Sequence, residues 1–259
     1  MTPTSAPSIG KKPPPRVAMV LLAAIAAVAT APLLSLLGIG LTAQTFADNG
    51  DQTLRAAGYA FSIWGVIYLG MLAYAVWQAL PATRESRALR AVGWPSVIAM
   101  AGCGAWLVAA SLDVKLATVV IIVASAAFMI TGLLQAAPFR QALSRIGRLL
   151  IFWPLGLLAG WLTIASALNI LTVLTAWDII TPAVAMPAAI AGILSVVVVG
   201  ALVLSRLGHL AYGIPIAWGL VGVWVAERSD KPVVASTAMA AAVVMAALVL
   251  RSAWLARKA

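Results

Sequence analysis

The sequence predicts an all-α, polytopic membrane bundle of about eight transmembrane helices, on three observations. The first is composition: of 259 residues, 63% are apolar and only 9% are charged, whereas a soluble domain carries about 25% charged residues. A soluble chain of this size cannot hide so much apolar surface. The second is segmentation. The charges divide the chain into uncharged stretches at 17–47, 56–83, 91–112, 116–139, 149–177, 179–205, 207–226 and 232–250, each 19 to 31 residues long. A helix crossing a hydrocarbon core needs about 20 apolar residues. The third is that no stretch alternates with the period-2 dyads of a membrane barrel.

In chain order, residues 1–16 read as a cytoplasmic tail, with Lys11, Lys12 and Arg16 and an extended Pro13–Pro15 run. The first apolar run outlasts the 7–15 residues of a signal-peptide core, so it reads as a retained span. Thr42 to Arg55 forms the longest loop, about 14 mainly polar residues, and leads to an aromatic second span. Lying beside that aromatic face, it is either an ordinary solvated connector or a cover over the mouth of a site there. The third to eighth runs follow with short charged connectors. Gly102 with Ala105, and Gly156 with Gly160, suit close helix contacts, and such small-residue faces would also permit a homodimer.

Lys and Arg set the orientation. Counting loops alternately from the N-terminus, one set holds Lys11, Lys12, Arg16, Arg84, Arg87, Arg90, Arg140, Arg145, Arg148, Arg206, Arg251, Arg257 and Lys258. The other holds Arg55, Lys115, Arg228 and Lys231, so the division is thirteen against four. Cytoplasmic loops carry the positive excess, which places both termini in the cytoplasm and the chain in the cell membrane. The net charge of +10 is therefore orientation charge, and no nucleic-acid partner is expected.

The span interiors are free of acids and bases, whereas proton pumps and ion-coupled carriers bury them. One cysteine, Cys103, and one histidine, His209, offer no metal cluster, and His209 reads as an interfacial residue. No serine or threonine has a base within helical reach, so no catalytic pair forms. An enzyme is not expected. A competing class is a small-solute transporter, whose mark would be helices broken at mid-membrane; Pro182, Pro187 and Pro215 are its weak signal.

The ten tryptophans point to a site. Trp77, Trp94, Trp106, Trp153, Trp177, Trp224 and Trp254 lie near span ends and read as an interfacial belt. Trp64, Trp161 and Trp218 lie deep, where an indole needs a partner for its N–H or a flat ligand. Phe61, Trp64 and Tyr68 share one helix face by their spacing. Trp161, Ala165, Asn169 and Thr172 form a second stripe, in which Asn169 must find a neighbouring helix or a ligand.

These two stripes carry a resemblance. The stretch Gly58-Tyr59-Ala60-Phe61-Ser62-Ile63-Trp64-Gly65-Val66-Ile67-Tyr68 resembles the second-span signature of the tryptophan-rich sensory protein/translocator protein (TspO/MBR) family, and keeps its Trp-x3-Tyr spacing. Trp161, Ala165 and Asn169 match that family's fifth-span pattern W-x3-A-x3-N. The likeness covers residues 17–177, a five-helix region, and leaves 178–259 as three additional spans and a short tail. Departures are Ala56 and Ala57 in place of prolines, one residue fewer before Trp64, and Cys103-x-x-Trp106 in place of Asn-x-x-Trp. The chain thus looks like the long, divergent bacterial branch. The resemblance implies a binding or sensory-regulatory protein of the inner membrane for flat apolar molecules such as porphyrins, haem, sterols or isoprenoids. It requires no resident cofactor, although a bound porphyrin or haem is what it suggests. Phe61, Trp64, Tyr68, Trp161, Ala165 and Asn169 are the ligand-binding residues it selects.

Overall fold

The computed structural model describes residues 14–83 and 86–258, with no side-chain account beyond Leu255. Of the expected tail, residues 1–13 lie outside the described residues, as do the orientation charge Arg84 and the side chains of Arg257 and Lys258. Among the described residues there are eight helices long and apolar enough to cross a membrane, and no strand.

Helix α1 (Pro15–Leu37) opens with proline in its first turn, where the absent N–H costs nothing. The uncharged stretch runs to residue 47 and the polar loop reads as starting at Thr42, but the helix already stops at Leu37. Gly38 and Gly40 both adopt positive φ, and a Cβ at Gly40 would lie 2.1 Å from the Ser111 carbonyl oxygen. Hydropathy does not register such a stop. The chain then forms a separate short helix, α2 (Ala43–Asp48), capped by the Thr42 hydroxyl. A 3-10 turn, Gly58–Ser62, leads into α3 (Ile63–Gln78). The remaining helices are α4 (Arg87–Ser111), α5 (Lys115–Ala136), α6 (Arg145–Ala176), α7 (Pro182–Leu207), α8 (Leu210–Glu227) and α9 (Pro232–Lys258).

One end of the bundle carries Asp48, Asp51, Asp113, Asp178, Glu227 and Asp230, and is the acidic face; the opposite end carries the arginine-rich connectors. Two of these acids shape turns. Asp113 and Asp178 each take φ 55° after α4 and α6. There the next N–H reaches back into the helix, Val114 to Ala109 and Ile179 to Leu174. This is the left-handed cap that aspartate tolerates better than most non-glycine residues.

Helices α1, α4, α5, α6 and α3 touch in a closed ring, and α8 and α7 both pack on the outside of α6, with α9 against the two of them. Helix α6 belongs to both groups; its 32 residues span about 48 Å. The sequence pair Gly156 and Gly160 lies at its crossing with α8, where a Cβ on Gly160 would fall 2.0 Å from the Tyr212 carbonyl oxygen. Only glycine permits that approach. Beside it the Thr163 and Tyr212 hydroxyls bond at 2.9 Å.

The acidic face ties the outer helices to the signature turn. The Ala57 N–H donates to the Gly222 carbonyl, and Trp218 Nε1 donates to the Ala60 carbonyl at 2.9 Å. Trp218 is mid-span, but its ring is 38% exposed on the outer surface of the bundle. Glu227, which reads in sequence as a solvated span end, is fully buried. It accepts from the Arg55 backbone N–H at 2.8 Å and pairs with Lys231 at 3.1 Å. Arg55 also bonds Asp230, and Lys231 donates to the Asp51 carbonyl.

Candidate ligand-binding cavity

A cavity of about 360 Å³ lies inside the five-helix ring, toward the acidic face. That volume is at the lower end of the range for small-molecule sites. Both aromatic stripes reach it. Phe61, from the 3-10 turn, and Trp64 and Tyr68, from α3, form one wall, while Trp161, Ala165, Asn169 and Thr172 of α6 form another. The structure therefore brings all six residues singled out in the sequence to one cavity. Helical periodicity explains this: positions three and four apart stack on one face of each helix.

The aromatic walls meet at right angles. Trp64 and Tyr68 stack at 5.1 Å with 29° between planes, and Trp161 stands edge-on to Trp64 at 6.3 Å and 82°. Phe61 also meets Trp161 edge-on, at 5.9 Å. Trp161 is 2% exposed and Trp64 half-buried. Edge-to-face contacts of this kind hold rings in fixed orientations.

Asn169 is committed to neighbouring helices. Its side-chain oxygen accepts the Trp106 indole N–H at 3.0 Å, and its Nδ2 donates to the Thr118 hydroxyl at 3.0 Å. One amide thus joins α4, α5 and α6 at the cavity wall. Trp106, which reads as a belt residue, lines the cavity together with Cys103. The sequence signal for both was the Cys103-x-x-Trp106 variant of the family's third-span pattern.

The Thr42–Arg55 segment borders the acidic end. Ala43, Gln44, Phe46 and Ala47 of α2 line the cavity, and Phe46 is buried with its ring edge-on to Trp106 at 5.8 Å. The segment is fixed at both ends. Leu41 N–H donates to the Ser111 carbonyl, and the Thr53 and Thr175 hydroxyls bond at 2.6 Å. Phe46 was not singled out in the sequence, because a lone aromatic in a polar loop carries no periodicity.

No Asp, Glu, Lys, Arg or His among the described residues lines the cavity. Among the described residues, the indole N–H groups of Trp64 and Trp161 and the hydroxyls of Tyr68 and Thr172 have no hydrogen-bond partner. The site can thus enclose a flat apolar body and offer it a few hydrogen bonds.

The sequence model of one family, described as TSPO-like protein, matches residues 17–251. The matched stretch includes the last three spans as well as the five that line the cavity. No curated protein and no solved structure matches the chain.

Proposed function

The chain belongs to the TSPO-like protein family as a multi-pass membrane protein, and on that premise we propose that it binds flat apolar ligands of the tetrapyrrole, sterol or isoprenoid kind as a sensory or regulatory protein. The observation that carries this reading is the cavity itself, with Phe61, Trp64, Tyr68, Trp161, Ala165 and Asn169 in its walls. Aromatic faces supply contact area with few degrees of freedom to freeze. Asn169 contributes by holding Trp106 in place. The site lies in the cell membrane with both chain termini in the cytoplasm, so the acidic face and the α2 lid face outward.

Binding is favoured over transport by the continuity of the helices. α7 runs through Pro187 and α8 through Pro215 without a break, whereas carriers place discontinuous helices at their substrate.

The test is to purify the protein in detergent and identify what accompanies it by absorbance and mass spectrometry. A Soret band, or a sterol or isoprenoid at near-equal stoichiometry, supports the reading. Folded protein that carries nothing and takes up none of these ligands on titration overturns it.

A further inference from the structure

Building on that binding role, we propose that the cavity selects an uncharged ligand bearing a hydrogen-bond acceptor, of the ketone or quinone type, and discriminates against carboxylate-bearing tetrapyrroles.

Charge is the first argument. A carboxylate taken into an apolar site without a cation pays several kcal/mol of desolvation, and no cation lines this cavity. The four basic side chains on the acidic face are all engaged. Arg55 meets Asp51, Glu227 and Asp230, Lys115 pairs with Asp113, and Lys231 pairs with Glu227. Arg228 lies over the Trp224 ring at 5.4 Å. At the lip, Gln44 donates to Asp48, which sets a negative charge where an anionic group would emerge. The residues present therefore offer no cationic partner to the propionates of a haem or protoporphyrin, so within the tetrapyrroles the uncharged ester is preferred.

Hydrogen-bonding capacity is the second. Indole N–H groups can only donate, and those of Trp64 and Trp161 have no protein acceptor. The Tyr68 and Thr172 hydroxyls are unpartnered and can also donate. Among the wall acceptors, the Asn169 side-chain oxygen already holds the Trp106 N–H, whereas the Ser125 hydroxyl donates to the Ile121 carbonyl and its oxygen can still accept. The two indole N–H groups are the wall groups that only a ligand acceptor can satisfy. A ligand that fills the cavity seals these donors from solvent, and a donor sealed without a partner is costly, so a ligand carbonyl gains where a hydrocarbon does not. A planar carbonyl-bearing ring satisfies both the right-angled aromatic walls and the free N–H groups.

Three matched single-ring probes separate these terms: duroquinone, durene and tetramethylbenzoate. Duroquinone is fully substituted, so it does not add to Cys103. Calorimetric titration of the detergent-solubilised full chain, corrected for partition into protein-free micelles, should rank duroquinone about fivefold to tenfold tighter than durene, the scale of one net hydrogen bond. Tetramethylbenzoate at neutral pH should bind more weakly than either. Tyr68→Phe and Trp161→Phe should narrow the duroquinone–durene gap, and the dimethyl ester of protoporphyrin should outbind the diacid.

Equal affinity for duroquinone and durene overturns the acceptor requirement. Tetramethylbenzoate binding as tightly as duroquinone, or a diacid tighter than its ester, overturns the charge discrimination. Either result leaves the flat-ligand reading standing. If no single-ring probe binds while the protein keeps its helical circular dichroism and melting transition, this inference fails; the proposed function fails with it only if tetrapyrroles, sterols and isoprenoids are not taken up either.

Discussion

Asn169 on α6 accepts the indole N–H of Trp106 on α4 at 3.0 Å, and the same amide donates to Thr118 on α5. A single polar side chain, 4% exposed, therefore fixes three helices around the cavity. It also fixes Trp106, against which Phe46 of the lid packs. In an apolar bundle such an amide is retained because its partners would otherwise be unpaired in hydrocarbon.

Asn169→Leu should accordingly lower stability by about 1–2 kcal/mol, since two hydrogen bonds are lost and their partners stay buried. Trp106→Phe should lose less, and the double variant should show a coupling of about 0.5–1 kcal/mol between the two positions. Denaturant unfolding in mixed micelles measures all three. Additive losses would mean that the bond contributes nothing to the fold.

Glu227 predicts a larger effect. It is fully buried at the end of α8 and joined to the Arg55 N–H and to Lys231. Glu227→Leu leaves those donors facing an apolar side chain, and removal of one partner of a buried pair costs about 3–5 kcal/mol. Lys231 keeps some contact with solvent, so the low end of that range is expected. Glu227→Gln should lose less, because its amide oxygen can still accept from Arg55. Melting temperatures of the two variants check this order, and a leucine variant as stable as wild type would remove the cluster from the account of how α8 is held.

The sequence revealed the eight spans because charge is confined to their ends, and it revealed the two aromatic stripes because helical spacing is local. What it concealed depends on contacts between distant residues. Glu227 looks like any acid at a span end until Arg55, 172 positions earlier in the chain, is placed beside it. Trp106 satisfies the rule for an interfacial belt, and only the position of Asn169 assigns it to the cavity. The end of α1 was hidden for a different reason: Gly38 and Gly40 stop a helix by backbone conformation without lowering the hydropathy of the run.

His209 caps α8 between Phe152 and Trp153. Burial, helped by Arg140, lowers its pKa from 6.5 to about 4. The fold thus favours neutral histidine, and the unfolded chain binds the extra proton between those two values. The stability this contributes is complete above pH 6.5 and is lost as the pH falls toward 4. Wild type should therefore lose more stability than His209→Gln between pH 7 and pH 4. Parallel pH dependences in unfolding titrations would show that the imidazole does not titrate in that window.

The thirteen-to-four division of Lys and Arg predicts the orientation. Reporter fusions after Pro81 and after the last residue should both report cytoplasm, and one at Asp51 should report the outside. A cytoplasmic signal at Asp51 would reverse the map and would put the α2 lid on the wrong side of the membrane for the reading above.

The lid gives the prediction closest to function. α2 covers the cavity through Phe46, and its segment is held at Leu41 and Thr53. A ligand that enters beneath α2 would have to displace Phe46 from Trp106. Phe46→Ala removes that edge-to-face contact and opens the cover while leaving the membrane helices unchanged in sequence. Loss of a buried phenylalanine ring costs about 3 kcal/mol where it is fully packed, and a lid attached at both ends should lose somewhat less. Ligand association followed by stopped-flow tryptophan quenching should accelerate, and dissociation should accelerate more, because the variant also loses contact with the bound ligand. Replacing Ala43–Asp48 by glycine and serine should change the rates in the same direction. If both variants stay folded and bind at wild-type rates, ligand does not pass beneath α2, and the segment acts only as a connector between α1 and α3.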